Sequence, residues 1–315
     1  MTARIVDGRT VGRQALERAK LAASSAGVVP HVALIGIRGD DPLADVNYRL
    51  HLRTFTESGL RVRPISLPPD TDQATLNGLI EELNADSDVD AVLVLLPLPP
   101  QLDIRVVLAT IAPEKEVEGL HPAHAARLSP LSALPPPRFP VVPLAVVHLL
   151  TEIDYEPAGH QIVVLTDPEL TETNPVAKMI ALVAAFAYVP PETSAAAVPL
   201  THPRAAELCR VADLLIVSVL KPCVVTADWV KPGAVLVDFN AIVDGYSPHA
   251  TDPDRLVPHL VGGIDVASAA EVAGAIVPVP GGVGPAMLGV LVEQIVAAAC
   301  ARASARQPEP AGAAQ

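Results

Sequence analysis

The sequence is short of aromatic residues, cysteine and positive charge, and each shortage narrows the classes of protein it can be. Aromatic side chains make up 3% of the 315 residues, so aliphatic cores are predicted, as in α/β proteins. Lysine and arginine number 22 against 35 acidic residues, and the net charge of -13 disfavours a nucleic-acid partner. The three cysteines, Cys209, Cys223 and Cys300, fit neither a metal-binding spacing nor a disulfide framework. No metal site is therefore predicted.

The sequence also lacks a hydrophobic run long enough to cross a membrane. Residues 179–189 are too few to span a bilayer, and the last apolar stretch is interrupted by Glu293 and Gln294. The opening residues, MTARIVDGRT, have no apolar core of a signal peptide. Hydrophobic residues reach 50%, however, which excludes disorder for most of the chain. We expect a folded cytoplasmic protein without a membrane partner.

Short apolar runs alternate with helical patterns along the chain. The runs are typical of buried parallel strands and cover residues 31–37, 91–96, 161–165, 213–219, 234–239 and 260–264. Helices are predicted over residues 10–24, 42–57, 74–86, 104–109, 144–152, 175–188 and 285–303. This alternation indicates an α/β fold with parallel sheets.

The proline-dense segment Leu128–Pro143 predicts an extended connection without regular structure. We place a domain boundary there. The expected domains are residues 1–140, completed by the helix over 285–303, and residues 141–284. A disordered tail is expected over residues 304–315.

Three glycines and three prolines lie within the eight residues PVPGGVGP, which run from Pro278 to Pro285. Glycines allow a close backbone approach and prolines fix the flanks, which suits a site for a small polar molecule. A tight connection into the following helix explains the same pattern equally well.

This segment and several others resemble signature motifs of the FolD family, the bifunctional methylenetetrahydrofolate dehydrogenases and methenyltetrahydrofolate cyclohydrolases. The other matching segments follow in the family's order and are GDDP at 39–42, LPLP at 96–99, KEVEGLHP at 115–122, and the run from Asp213 through Lys221, Asp228 and Trp229 to Asp238. The resemblance covers roughly residues 1–303. It implies an N-terminal α/β domain and a Rossmann-like NAD(P)-binding domain facing each other across a cleft, with the C-terminal helix returning to the first domain. It also implies a tetrahydrofolate-type substrate, NADP as cofactor and a homodimer.

The family's catalytic helix carries a tyrosine and, four residues later, a lysine; these positions hold Asn47 and His51 here. Shifting the register by one residue places Tyr48 at the tyrosine position and Leu52 at the lysine position, so the lysine is absent either way. An imidazole can move protons near neutral pH, although it stabilises an anion less well than lysine. A helix histidine without a role is the alternative.

On the folate side, Glu118 replaces the family aspartate that binds the pterin, and we assign it a catalytic-pocket role with Asn47 and His51. Leu95 replaces a glutamine. By resemblance the substrate pocket is lined by Leu95, Leu96, Pro97, Leu98, Pro99, Pro280, Gly281 and Gly282.

On the cofactor side, the matching positions are Thr166, Asp167, Pro168, Pro199 and Ala241. Both glycines of the family's phosphate loop are absent, and Asp167, Glu169 and Glu172 add negative charge that opposes phosphate binding. The predicted cofactor is NADP by resemblance, with NAD or no cofactor as alternatives.

The first functional hypothesis is a dehydrogenase and cyclohydrolase of folate one-carbon metabolism. A catalytically degenerate relative that binds or regulates is the second, favoured by the missing lysine, glutamine and glycines. An enzyme acting on a different pterin-like substrate is the third.

Overall fold

A computed structural model of the chain describes residues 2–38, 42–128, 138–173, 192–249 and 252–306. The chain divides into two compact units. The first, which we call the three-stranded unit, comprises Gln14–Val141 and Leu288–Gln315. The second, the six-stranded unit, comprises Met1–Arg13 and Val142–Met287.

The three-stranded unit is built on a parallel sheet in the order β3-β2-β4. Its elements are β2 (His31–Ile37), α2 (Pro42–Glu57), β3 (Arg61–Leu67), α3 (Gln73–Ala85), β4 (Ala91–Val94), α4 (Ile104–Thr110), α5 (Pro122–Ala125) and a 3₁₀ turn (Ala126–Leu128). Two further helices, α1 (Gly8–Ala26) and α10 (Val283–Arg306), have residues in both units. Every residue of β2 is buried, which explains its uninterrupted apolar sequence.

The six-stranded unit contains a parallel sheet in the order β1-β11-β8-β7-β5-β6. Its strands are β1 (Arg4–Ile5), β5 (Gln161–Thr166), β6 (Ser194–Pro199), β7 (Leu214–Ser218), β8 (Val235–Asp238) and β11 (Ala275–Val277). Its described helices are α6 (Val141–Thr151), α7 (Pro168–Thr173), α8 (Ala205–Cys209), α9 (Val266–Ala269) and a 3₁₀ turn (Ala227–Trp229). The core is aliphatic, as the composition predicts.

The fold class is confirmed: both main sheets are parallel and alternate with helices. One predicted strand is wrong. Residues 260–264 were expected to form a buried parallel strand, but β10 (Asp252–Val261) pairs antiparallel with β9 (Ile242–His249) and ends at Val261. An apolar run alone does not show which neighbour a strand pairs with.

The end of the proline-dense segment is helical, contrary to the prediction. α6 begins at Val141, so Pro143 lies in its first turn, where the missing N–H has no intrahelical partner to lose. Residues 129–137 lie outside the described residues.

Part of the expected tail is helical. Residues 304–306 continue α10, because alanine, serine and arginine are compatible with a helix. Residues 307–315 and the predicted helix over 175–188 lie outside the described residues.

The last helix, α10, resembles a membrane-spanning helix in length and composition. Among the described helices, α10 is long and apolar enough to cross a bilayer, but 67% of its most apolar window is buried inside the protein. That burial is what a core helix shows.

Candidate active site

The predicted catalytic helix is α2, and it places Asn47 and His51 one turn apart. The His51 imidazole is 4% exposed and its Nδ1 lies 2.9 Å from the Asn47 carbonyl oxygen. Nδ1 therefore carries the proton, and Nε2 holds the lone pair. Burial lowers the pKa of His51, and the bond to the Asn47 carbonyl opposes that effect to a smaller extent. His51 is thus a neutral imidazole at pH 7.

The His51 ring is fixed on its other side by an edge-on contact with Phe55, with ring centroids 5.8 Å apart. Among the described residues, Nε2 has no hydrogen-bond partner. A neutral, immobilised imidazole with an available lone pair can accept a proton, which a buried structural histidine with both nitrogens bonded cannot do.

Tyr48 lies on the neighbouring face of α2 and is 6% exposed. Its ring packs against Gly36 of β2, where a Cβ would lie 2.5 Å from Tyr48 Cδ2. The Arg38 guanidinium lies 4.1 Å from the ring centroid and pairs with Asp45 at 2.5 Å. This stacked group was not predicted from the sequence, although a glycine inside an otherwise bulky strand was an available signal.

The LPLP segment follows β4 directly. The Leu95 N–H donates to the Ile35 carbonyl, which extends the pairing with β2, and the Leu96–Pro97 peptide bond is cis. Leu98 packs against the aliphatic core, and the Pro99 carbonyl accepts from Leu102. The segment thus lies at the carboxyl edge of the sheet, where ligands bind in α/β folds.

Glu118 reaches the same edge by a different route. Glu116 forms a parallel bridge with Val92 of β4, so Glu118, two residues on, lies level with the end of that strand. The Glu118 side chain is half-buried. Burial, reinforced by the nearby Glu116 charge, raises the pKa of Glu118 to about 8. Glu118 and Leu95–Pro99 therefore share one edge of the three-stranded unit.

The glycine loop at 280–282 lies in the six-stranded unit. Gly281 adopts a positive φ of 105°, the Val279–Pro280 bond is cis, and the Gly8 N–H donates to the Gly281 carbonyl at 2.9 Å. A Cβ at Gly8 would meet the Gly282 oxygen at 1.8 Å. These contacts support the interpretation of the loop as a tight connection. Its role in substrate binding stays a prediction.

The structure collects the predicted cofactor residues at the carboxyl edge of the six-stranded sheet. Thr166 is paired with Pro199 on one side and with Ser218 on the other. The Ser218 hydroxyl lies 3.1 Å from the Asn240 amide oxygen, next to the exposed Ala241.

Asp167 is buried at this edge, and the protein's own backbone uses its charge. Its Oδ1 accepts from the Glu169 N–H at 3.0 Å, and its Oδ2 accepts from the Leu220 N–H at 3.1 Å. The following residue, Pro168, offers no N–H. Two of the donors that could face a bound anion are therefore already engaged by a carboxylate.

A second carboxylate at this edge is also satisfied internally. Asp238 is 1% exposed and accepts from the N–H groups of Gly263 and Ile264. Burial nevertheless raises the pKa of Asp238 to about 7. A Cβ at Gly262 would lie 1.9 Å from its Oδ2, so the sequence glycine is required for the carboxylate's position.

Comparison with known proteins relates both parts of the chain to one family. Residues 6–118 match the catalytic domain, and residues 140–303 the NAD(P)-binding domain, of tetrahydrofolate dehydrogenase/cyclohydrolase. The bifunctional protein FolD of Rhodopseudomonas palustris is 36% identical over 96% of this chain and 97% of its own length. That of Nitratidesulfovibrio vulgaris is 39% identical over 85% and 86%.

Solved structures agree with these sequence matches. The Trypanosoma brucei methylenetetrahydrofolate dehydrogenase-cyclohydrolase, complexed with NADP cofactor and inhibitor, has a TM-score of 0.78 at 25% identity and covers 98% of this chain and 100% of its own. The Campylobacter jejuni FolD enzyme has a TM-score of 0.77 at 26% identity, covering 95% and 99%. The chain belongs to the tetrahydrofolate dehydrogenase/cyclohydrolase family, the FolD family, with a catalytic and an NAD(P)-binding domain.

Proposed function

We propose that this chain acts on one-carbon derivatives of tetrahydrofolate, as a methylenetetrahydrofolate dehydrogenase and methenyltetrahydrofolate cyclohydrolase. The family match over nearly the whole chain supports this activity. The observation that carries it is His51, a buried imidazole fixed by a bond to the Asn47 carbonyl, which by resemblance stands at the position of the family's lysine.

The described geometry supports the hydrolytic half most directly. In that step the oxygen of a water forms a bond to the methenyl carbon while its proton passes to His51 Nε2. That proton then passes to the ring nitrogen as the carbon–nitrogen bond breaks, and the second proton of the water leaves the hydroxyl group for solvent as the formyl C=O bond forms. Proton transfer by a positioned side chain is worth about 10²–10⁴-fold in rate. Glu118 holds the substrate at the edge of the same unit.

Three substitutions define how this chain differs from the family pattern. A neutral His51 supplies no positive charge to a developing anion, and Leu95 supplies no amide. These two changes lower the expected hydrolysis rate without removing the base. The third, inferred from the resemblance, is the loss of both glycines from the loop at 166–176.

The described residues at that loop bind a dinucleotide phosphate less favourably than the family's glycine loop would. A pyrophosphate needs free N–H groups and a close, glycine-lined backbone, whereas Asp167 engages two N–H groups and brings a negative charge. When bound, a nicotinamide cofactor would accept the hydride from the methylene carbon.

Further features of this proposal come from the family and not from the contacts above. We infer a homodimer, a cytoplasmic location and domain boundaries near residues 140 and 284. Light scattering of the purified chain tests the dimer, since a monomer's 32.8 kDa would contradict it.

The function is tested by following methenyltetrahydrofolate loss, and methylenetetrahydrofolate oxidation with NADP and with NAD. His51→Ala is expected to lower hydrolysis at least tenfold, and His51→Lys to raise it. Arg53→Ala, an exposed change on the same helix, is the control. Methenyl decay at the uncatalysed rate with the unsubstituted protein would refute the hydrolytic assignment.

A further inference from the structure

The segment that carries Glu118 is organised around a second carboxylate, Glu116. Glu116 is 1% exposed, and its Oε1 accepts from the Glu118 N–H at 2.6 Å. Its Oε2 accepts from the N–H groups of Leu120 and His121, at 3.0 and 3.2 Å. One buried side chain thus holds three N–H groups of the turn that presents Glu118.

The same turn is held from its outer side by the backbone of residues 139–141. Gly119 has a φ of 74°, and a Cβ there would lie 2.4 Å from the Phe139 carbonyl atoms. The Val141 N–H donates to the Glu118 carbonyl at 2.9 Å. Because both sides are fixed, the Glu118 side chain has a defined starting point on the sheet edge.

Behind Glu116 lies a buried group of polar side chains that balances its charge. His124 is 2% exposed; its Nε2 lies 3.0 Å from the Pro113 carbonyl and 3.5 Å from Glu116 Oε2. The Arg138 guanidinium donates to the carbonyls of Gln294 and Glu114. Burial raises the pKa of Glu116, and the positive charge of Arg138 opposes that shift. Burial lowers the pKa of His124, and the charge of Arg138 lowers it further. His124 is therefore neutral, and Arg138 is the cation of the group.

We propose that Glu116 is a positioning residue for Glu118, fixing both its place at the sheet edge and the proton that it exchanges with a bound ligand. This inference rests on the proposed function in so far as the ligand is a folate.

The electrostatic half of the argument follows from which groups face Glu118. Among the described residues, this cluster contains two charged groups, the Glu116 carboxylate two residues before Glu118 and the Arg138 guanidinium behind it. Its other titratable groups are His121 and His124. Glu116 and burial both disfavour a charged Glu118, and no described cation pairs with Glu118 directly. Glu118 therefore keeps its proton near neutral pH.

This proton has a consequence for binding. An aminopyrimidinone ring such as that of a pterin offers two adjacent N–H donors, which pair with an ionised carboxylate and not with a protonated one. Binding must then release the Glu118 proton. The affinity is expected to rise about tenfold per pH unit up to about pH 8 and to level off above it.

Two measurements test the proposal, one of them without any ligand. Carboxyl-carbon NMR of the whole protein follows the Glu118 titration in the unsubstituted chain, in Glu116→Gln and in Glu114→Gln. Glu114 is an exposed carboxylate of the same segment and is the matched control. We expect the Glu118 midpoint to fall by at least one pH unit in Glu116→Gln and to stay in place in Glu114→Gln.

Calorimetric titration with tetrahydrofolate from pH 6 to 9 supplies the second measurement. The pH at which affinity levels off should move down with Glu116→Gln, return toward its original value with Glu116→Asp, and disappear with Glu118→Gln. A Glu116→Gln protein that binds more weakly by one factor at every pH, with an unmoved NMR midpoint, would show a merely structural role and overturn the proposal.

The two ideas fail separately. Should tetrahydrofolate bind at no pH while the NMR midpoint still moves in Glu116→Gln, the proposed substrate is wrong and the control of Glu118 by Glu116 is supported. Should tetrahydrofolate bind with no pH step and the midpoint stay fixed, the substrate is right and the positioning role is wrong.

Discussion

The two units differ in whether the ionisable side chains near the carboxyl edge of the sheet are bonded to the protein's own backbone. In the three-stranded unit, Glu118 has no described cation beside it and His51 keeps an available nitrogen. In the six-stranded unit, Asp167 and Asp238 are bonded to backbone N–H groups. One edge leaves its acid and base available for a ligand, and the other uses its carboxylates to hold its own loops together.

This difference concerns two parts of the family's function, proton transfer in hydrolysis and phosphate binding of the cofactor. Proton transfer needs a group whose protonation state is free to change, so the three-stranded edge retains the means for hydrolysis. Phosphate binding needs unoccupied N–H donors, and the Asp167 carboxylate already accepts from the N–H groups of Glu169 and Leu220. The described polar groups of the two sheet edges therefore differ in their availability to a ligand.

The largest expected effect comes from breaking the internal bonding of the six-stranded edge. Gly262→Ala places a Cβ 1.9 Å from Asp238 Oδ2 and 3.1 Å from the Val279 Cβ. The carboxylate must move, and the N–H groups of Gly263 and Ile264 lose their acceptor. We expect a loss of about 3 kcal/mol in the free energy of unfolding, measured by urea denaturation. Gly78→Ala, where a Cβ meets nothing within 4 Å, is the control, and an equal loss there would contradict the argument.

Removing Asp167 tests whether its carboxylate excludes a phosphate. Asp167→Ser frees the Glu169 and Leu220 N–H groups and removes one negative charge. We expect stability to fall by about 1–2 kcal/mol while NADP affinity, measured by calorimetry, rises at least tenfold. Glu169→Gln removes an exposed charge of the same loop and serves as the control. Unchanged NADP affinity in Asp167→Ser would remove the contrast between the two edges.

Glu118→Gln tests the claim about the three-stranded unit, namely that ionisation of Glu118 lowers the stability of the folded chain. The pKa of Glu118 is about 8 in the folded chain against 4.5 for an ordinary glutamate. The folded state thus binds more protons between these values, and the stability that this proton provides is lost as pH rises from 4.5 to 8. Since glutamine cannot ionise, the variant should gain about 1–2 kcal/mol on the unsubstituted chain between pH 5 and pH 9. Parallel stability curves for the two proteins would contradict this sign.

Elements with strong local signals could be predicted from the sequence. The side-chain hydrogen bonds at the ends of the strands could not. β2 and α2 are predicted to the residue because a buried strand and a proline-started helix have local signals. β3 was missed, since its alternating exposed residues include arginines and a proline. The bonds of Glu116 and Asp167 depend on which backbone N–H groups the fold brings near, and no spacing along the chain encodes that.

The smallest expected effect comes from a charge pair away from both edges. Arg18 donates twice to Glu293, with Nε–Oε1 and Nη2–Oε2 distances of 2.7 and 3.2 Å, and its side chain is 50% exposed. Exposed pairs of this kind contribute about 0.2–1 kcal/mol and weaken with salt. Arg18→Ala should therefore cost about 0.5 kcal/mol in dilute buffer and less at 1 M NaCl, measured by urea denaturation. A cost comparable with that of Gly262→Ala would mean that charges matter throughout this protein, and that the sheet edges are not where its electrostatic energy is concentrated.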